Sequence, residues 1–391
     1  MYPAFADLRE VLSAFECSRI GHDVLLENPC NPYRTNPAIS KLPYPRIWMA
    51  LTPLGLNQSH TIFLGVVLVL LFYIVTFNLT GKLNFYESLI YSLILCSPPV
   101  MLLIERGNVD ILIFLLLFIS LIIILKSSRL ISRLFAYEII LLAAFLKLFP
   151  IFGLTVILRE RKRIALLLIA ILTTLFASYY LLNLEELRAI TGFFGVTVWH
   201  SFGYKVIFKA IFQSIKMFLY SPSKTITIKL LCNVTLILVA CLVGYQIIVK
   251  VFQKFKTWLN CDFQSESDLN YLGNENYIDG FRLGCCLYIG AFSIGSVYDY
   301  KLVFWLFAIP QIIDWIKRKN QLSLLSTLAL VGIIATLYLS PLSQYLSLDE
   351  IINWFLLGYF VYCFLLSLPK GLKFSVHNTL LRQLRRNSEA V

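Results

Sequence analysis

Charged side chains at the ends of long apolar runs are costly to keep there and usually serve a function. The chain places such groups in several separate segments: Asp7 with Arg9, then Glu105, Arg106, Asn108 and Asp110, then His200 beside Trp199, then Asp299 with Lys301. Lys147 sits inside an apolar stretch. A carboxylate in such a place can take the proton from a hydroxyl, which is general-base work, and Asp7 suits that role. Cations can hold a phosphate that departs with its charge. Arg106, Lys301 and Lys147 suit that second role, and His200 can orient the same phosphate. Each residue alone is more often a solvated helix end or, for a histidine next to an aromatic, a structural group. Asp7 and the group at 106–110 taken together favour the chemical reading. No CxxC pair and no HExxH occurs, so neither a metal nor another cofactor is expected.

These groups need elements to hold them, and the composition says which kind. The chain has 391 residues, 58% of them hydrophobic and only 14% charged. A soluble domain is about one quarter charged. The sequence therefore predicts an all-α, polytopic helical membrane protein. Long apolar runs occupy 61–79, 86–104, 111–125, 164–182, 226–252, 281–297, 302–316, 322–339 and 351–368. Each approaches the roughly 20 residues that cross a hydrocarbon core as a helix, giving about nine spans. The nine cysteines fall mostly inside these runs (Cys96, Cys232, Cys241, Cys285, Cys286, Cys363), as packing residues do.

The net charge of +12 is read as topology and not as a nucleic-acid footprint. Basic clusters at Lys126, Arg129 and Arg133, at Arg159 to Arg163, at Lys317 to Lys319 and after Lys370 all belong in the cytoplasm by the positive-inside rule. The stretch 134–158 then has basic clusters at both ends. Its middle reads Lys147-Leu148-Phe149-Pro150, and proline breaks helices. One broken helical hairpin is expected there, entering and leaving on one side, with a single kinked span as the alternative. The organisation that follows is an exoplasmic cap with short helices at 1–60, a transmembrane domain at 61–370 and a basic cytoplasmic tail at 371–391. Within the membrane domain, 183–225 forms an exoplasmic loop and 254–280 a polar cytoplasmic loop.

The cap balances its charges and holds Cys17 and Cys30 outside any apolar run. In an oxidising compartment these can pair, and two separate thiols are the equal alternative. Nothing in the sequence carries the cap across a membrane, so a transmembrane helix upstream of Met1 is expected. In the loop at 183–225, Gly-Phe-Phe-Gly precedes apolar residues at helical spacing with Lys205, Lys209 and Lys216 interleaved. That pattern fits an amphipathic helix in the membrane interface, which either guides a lipid-linked substrate or is an inert surface helix.

Several of these residues also resemble a known family. Glu105-Arg106-Gly107-Asn108-Val109-Asp110 looks like the Gly-Gln/Asn-x-Asn/Asp element of glycosyltransferase family 87. Lys147-Leu148-Phe149-Pro150 resembles its Lys-Leu-Tyr-Pro element, with Phe for Tyr. Asp299-Tyr300-Lys301-Leu302 with Ile309-Pro310 resembles its Asp-Tyr-Arg-Leu and later Pro element, with Lys for Arg. Asp7-Leu8-Arg9 and Tyr44-Pro45-Arg46-Ile47-Trp48 resemble the first exoplasmic loop of some members. The resemblance implies a GT-C fold and a metal-free transferase whose donor is a polyprenyl-phosphate sugar such as mannose. It implies a lipid or glycan acceptor, surrounding membrane lipids, a catalytic Asp7, and substrate contacts from Arg9, Arg106, Asn108, Asp110, Lys147, His200, Asp299 and Lys301. In the style of the resemblance the location is a bacterial plasma membrane. A transporter or flippase of lipid-linked sugars ranks lower, because the charges gather at one face and no internal repeat is evident. A polymerase or ligase ranks lower too, because it usually has a larger late exoplasmic loop.

Overall fold

The computed structural model describes residues 4–31, 41–80, 83–193, 200–220, 275–319, 322–339 and 348–368. The chain is helical almost throughout these segments. Helix α1 (Ala6–Arg19) opens it, followed by 3-10 helices at Arg46–Leu54 and Gln58–His60. The second of these runs straight into α2 (Thr61–Thr80). Then come α3 (Phe85–Leu95), α4 (Pro98–Arg106), α5 (Asp110–Lys126) and α6 (Leu130–Leu146). A 3-10 helix (Phe149–Arg159) precedes α7 (Lys162–Leu182), α8 (Leu184–Phe193) and α9 (Tyr204–Tyr220). Later in the chain, α10 (Glu275–Ile294) leads to a 3-10 helix (Asp299–Phe307), α11 (Ile309–Lys317), α12 (Ser323–Leu339) and α13 (Leu348–Ser367).

Among the described residues three helices are long and apolar enough to cross a membrane: Gln58–Thr80, Lys162–Leu182 and Leu348–Ser367. A fourth is obtained if Phe85–Leu95 and Pro98–Arg106 count as one span bent by 56°. This is fewer than the expected nine, and the reasons are local. The run 86–104 is not one helix, because Pro98 and Pro99 at the start of α4 cannot extend α3. The run 302–316 divides into a 3-10 helix and α11, with Pro310 at the new start. Helices α5 and α12 have 17 residues each. The run 226–252 and the basic tail 371–391 lie outside the described residues. The polar loop expected at 254–280 ends early, since α10 begins at Glu275. Cys285, Cys286 and Cys363 pack in the interior as expected, but Cys96, which follows α3, is exposed.

Helix α6 stops at Leu146, where Lys147 turns to φ −161° and ψ 95°. The chain then returns along α6. Arg133 near the start of α6 bonds Glu160 at the far end of the return, Nε to Oε1 2.6 Å, and the Tyr137 hydroxyl donates to the same carboxylate at 2.8 Å. Both basic ends thus lie side by side, with Lys147 at the tip. From Leu130 to Leu146 the helix rises roughly 25 Å. The tip is therefore about that far from the basic end.

The tip carries the cap. The Trp48 indole donates to the Leu146 carbonyl at 3.1 Å. Cys17 and Cys30 form a disulfide that ties the end of α1 to the segment after it. Glu16 accepts from both the backbone and the side-chain amide of Gln58, at 2.9 and 2.8 Å, joining α1 to the foot of α2.

Candidate functional site

The start of α1 is fixed by Phe5. Its backbone N–H donates to the Glu105 carbonyl at 2.7 Å. Its ring occupies a seat that only glycine leaves open: a Cβ on Gly65 would lie 2.3 Å from the Phe5 ring, and one on Gly107 would lie 2.9 Å from Phe5 Cβ. Gly107 also ends α4 at φ +56°, a conformation natural to glycine. This wedge sets Asp7, in the first turn of α1, against the end of α4.

Asp7 is buried, with 6% of its surface exposed. Arg106 grips it in bidentate fashion, with Nε 3.0 Å from Oδ1 and 3.1 Å from Oδ2, and Nη2 2.5 Å from Oδ1. Asn108 adds a bond to Oδ2 at 2.5 Å. The Asn108 oxygen meanwhile accepts from the Asp110 N–H at 2.9 Å and from Lys147 Nζ at 3.4 Å. Lys147 is paired with the buried Asp110 at 2.8 Å. Its ammonium stands between the rings of Tyr44 and Tyr300, 5.6 and 5.7 Å from their centroids. The second polar string, Asp299 to Lys301, follows a short antiparallel ribbon of β1 (Ser201–Phe202) and β2 (Val297–Tyr298). The Asp299 N–H donates to the His200 carbonyl at 2.9 Å. The ribbon is close enough that a Cβ on Gly203 would lie 2.0 Å from the Gly295 oxygen.

These elements enclose a cavity of about 850 Å³. Of the expected site residues, Asp7, Arg106, Lys147, His200, Asp299 and Lys301 line it. Asn108 and Asp110 do not. They are buried behind the wall, where they hold Asp7 and Lys147 and so act as positioning residues. Arg9 is half-buried on α1 and is not part of the lining either. Trp199 lies outside the described residues. Glu10, Tyr44, Tyr298, Tyr300 and Lys205 line the cavity although the sequence had not marked them as site residues. Tyr44 and Tyr300 stood next to quoted motifs, and that adjacency was the available signal. Glu105, one of the charged groups marked in the sequence, and Ser296 also line it, and the rest of the wall is apolar, including Pro98, Met101, Leu148, Phe149 and Ile190.

Lys301 differs from Lys147 in its surroundings. Among the described residues no carboxylate pairs with it, and its ammonium sits 5.0 Å from the Phe149 ring centroid. Burial, and then the neighbouring Lys147 charge, push its pKa down from 10.5 to about 8. Burial, followed by the Asp7 charge, pushes the Tyr44 hydroxyl well above its ordinary value, so it stays a proton donor. No group of three or more His, Cys, Asp or Glu residues able to hold a metal occurs among the described residues.

A family model described as glycosyltransferase family 87 matches residues 45–254, more than half of the chain's 391 residues. The chain belongs to glycosyltransferase family 87. It is thus a glycosyltransferase, and the apolar helices fit the membrane setting of that family. No curated protein and no solved structure matches it. The matched family 87 segment contains the wall from Arg106 through Lys147 to His200. Asp7, Asp299 and Lys301 lie outside that segment and join the site through geometry.

Proposed function

We propose that this glycosyltransferase is a multi-pass membrane enzyme that moves a sugar, mannose first among candidates, from a polyprenyl-phosphate donor. The acceptor is a lipid or glycan hydroxyl, and the cavity opens on the exoplasmic face. The observation that supports this reading is one cavity that brings the carboxylate Asp7 and the cations Lys147 and Lys301 together beside an apolar stretch of wall with Leu148, Phe149 and Ile190. A phosphate, a sugar hydroxyl and the start of a lipid tail ask for those three surfaces together.

The steps balance without further reagents. Asp7 accepts the proton of the acceptor hydroxyl as its oxygen attacks the anomeric carbon. The bond from that carbon to the phosphate oxygen breaks, and the polyprenyl phosphate leaves with the electron pair. Lys301 and Lys147 face the departing charge, and Arg106 borders it. A carboxylate offers about four lone-pair sites. Arg106 and Asn108 hold three of them through Nε, Nη2 and Nδ2. One remains for the incoming hydroxyl, so the same grip that fixes Asp7 aims its free lone pair.

The test is transfer of labelled mannose from polyprenyl-phosphate mannose to membrane acceptors, by the chain and by Asp7→Ala. Label moved by the chain and lost in the variant supports donor and base together. Substantial activity remaining in Asp7→Ala removes the base assignment. No transfer by either form removes the donor assignment.

A further inference from the structure

A cavity of about 850 Å³ is the size of a pocket for a drug-sized molecule. That volume is enough for a sugar phosphate and the first isoprene units, and a long polyprenyl chain would have to leave it. Helix α9 begins at its rim. Lys205, in the first turn of α9, lines the cavity, as does His200 just before β1. The rim is pinned: the Lys205 N–H donates to the Gly295 carbonyl at 3.3 Å, and Gly203 and Gly295 let the two strands approach.

From that anchored end, Tyr204, Phe208, Phe212 and Ile215 repeat at i, i+4, i+8 and i+11, one face of a helix. The face is bare: Phe208 is 62% exposed, Phe212 68% and Ile215 41%. The stripe runs roughly 16 Å away from the cavity. The opposite side packs inward through Val206 and Ala210. Lys205, Lys209 and Lys216 fall at helical spacing along the edge of the stripe, a basic border suited to a phosphate-headed lipid.

We propose that this face of α9 is the seat of the donor's isoprenoid tail, with Phe208 and Phe212 as the residues that read chain length. The proposal rests on the polyprenyl-phosphate reading above. It adds the side of the cavity from which the lipid enters. A helix that only lay on the bilayer needs no tie to the catalytic rim, whereas a tail guide must start at Lys205 and continue outward as one apolar stripe.

The experiment measures binding of two phosphates to the full chain in detergent: undecaprenyl phosphate, and citronellyl phosphate, which has only two isoprene units. Binding by Phe208→Ser/Phe212→Ser is compared with that of the unaltered chain. The expected result is about tenfold weaker binding of the long lipid, the loss of roughly two methylenes of apolar contact, with short-lipid binding unchanged. Retained binding of the short lipid also shows that the variant is folded. Equal weakening of both lipids, or of neither, overturns the proposal. Binding of both lipids unchanged makes the face a bilayer contact only. If the unaltered chain binds neither phosphate, the donor reading itself fails, an outcome distinct from the loss of chain-length discrimination.

Discussion

At the scale of the residue, the site divides its cations by what neutralises them. Arg106 is held by Asp7 and Lys147 by Asp110, at 2.5 and 2.8 Å. Lys301 has an aromatic ring beside it and, among the described residues, no carboxylate. Its charge is therefore the one a donor phosphate can compensate most. The proton balance gives the sign. With its pKa lowered to about 8 from 10.5, the folded chain binds this proton less tightly than the unfolded one. Stability contributed by Lys301 thus rises with pH between those values. A bound phosphate reverses the shift, so binding takes up a proton near pH 8. Undecaprenyl phosphate affinity is expected to fall as pH rises through about 8, and Lys301→Arg to flatten that fall by keeping its charge. Calorimetry in two buffers of different ionisation heat reads the proton uptake, and an affinity flat from pH 7 to 9 in the unaltered chain removes Lys301 from the phosphate site. Asp7→Asn keeps the volume and one acceptor oxygen but cannot take a proton. Transfer is expected to drop by about 10² to 10⁴, the usual worth of a general base. A drop of only a few-fold makes Asp7 a binding residue. Lys301 was legible in the sequence as a charge at the start of an apolar run, and Asp7 as a carboxylate in the cap segment that resembles the family's first exoplasmic loop. The burial of Asn108 and Asp110 was not, since composition marks a polar group without saying which neighbour it serves. Tyr44 and Tyr300 were missed for a similar reason: one tyrosine among 21 becomes a site residue only through the lysine it meets.

At the scale of the element, the position of Asp7 depends on a seat for one phenylalanine. Phe5 enters α1 in the left-handed region, at φ 58°, which is strained for an aromatic residue. The seat on Gly65 and Gly107 and the bond to Glu105 hold it there. Gly65→Ala would push the ring out, at an overpacking cost of about 1–3 kcal/mol. The first turn of α1 would move with it, and a displacement of about 1 Å at a reacting group lowers rate about a hundredfold. The expected outcome is a folded protein with severely reduced transfer. Phe5→Ala in the same chain removes the clash and should restore part of the activity. If the double variant is no better than Gly65→Ala alone, the wedge does not position Asp7. Sequence periodicity could locate α2 within a residue or so, since 20 consecutive residues from Thr61 carry no charge. It could not show that one glycine inside that helix serves a residue 60 positions earlier. The broken hairpin was legible because proline and paired basic ends are local signals. The division of 302–316 was less so, since Pro310 at the first turn of a helix and Pro310 inside one look alike in sequence.

At the scale of the molecule, two polar layers stand at opposite ends of the helices. The cavity layer gathers Asp7, Arg106, Lys147 and Lys301 beneath the cap. The other layer joins separate elements by ion pairs, Arg133 with Glu160 and Arg159 with Asp279 at 2.7 Å, and within α10 Arg282 pairs with the same Asp279 at 3.1 Å. Arg282 also donates to the Ser367 carbonyl at the end of α13. Two independent signals orient this arrangement. The second layer sits beside the basic loops, which the positive-inside rule assigns to the cytoplasm. The cap carries the Cys17–Cys30 disulfide, and such bonds persist on the oxidising side. Both support the proposed exoplasmic placement of the cavity. The expected outcome is therefore asymmetric labelling by a membrane-impermeant maleimide, in a background without the free cysteines. Ile20→Cys, on an exposed corner of the cap, is labelled in intact cells. Ser128→Cys, in the loop between α5 and α6, is labelled only after permeabilisation. Labelling of both from the same side would leave the local chemistry of Asp7 and Lys301 as described. It would also mean that α5 does not separate the cap from the basic loop, and the orientation argued from charge would be lost.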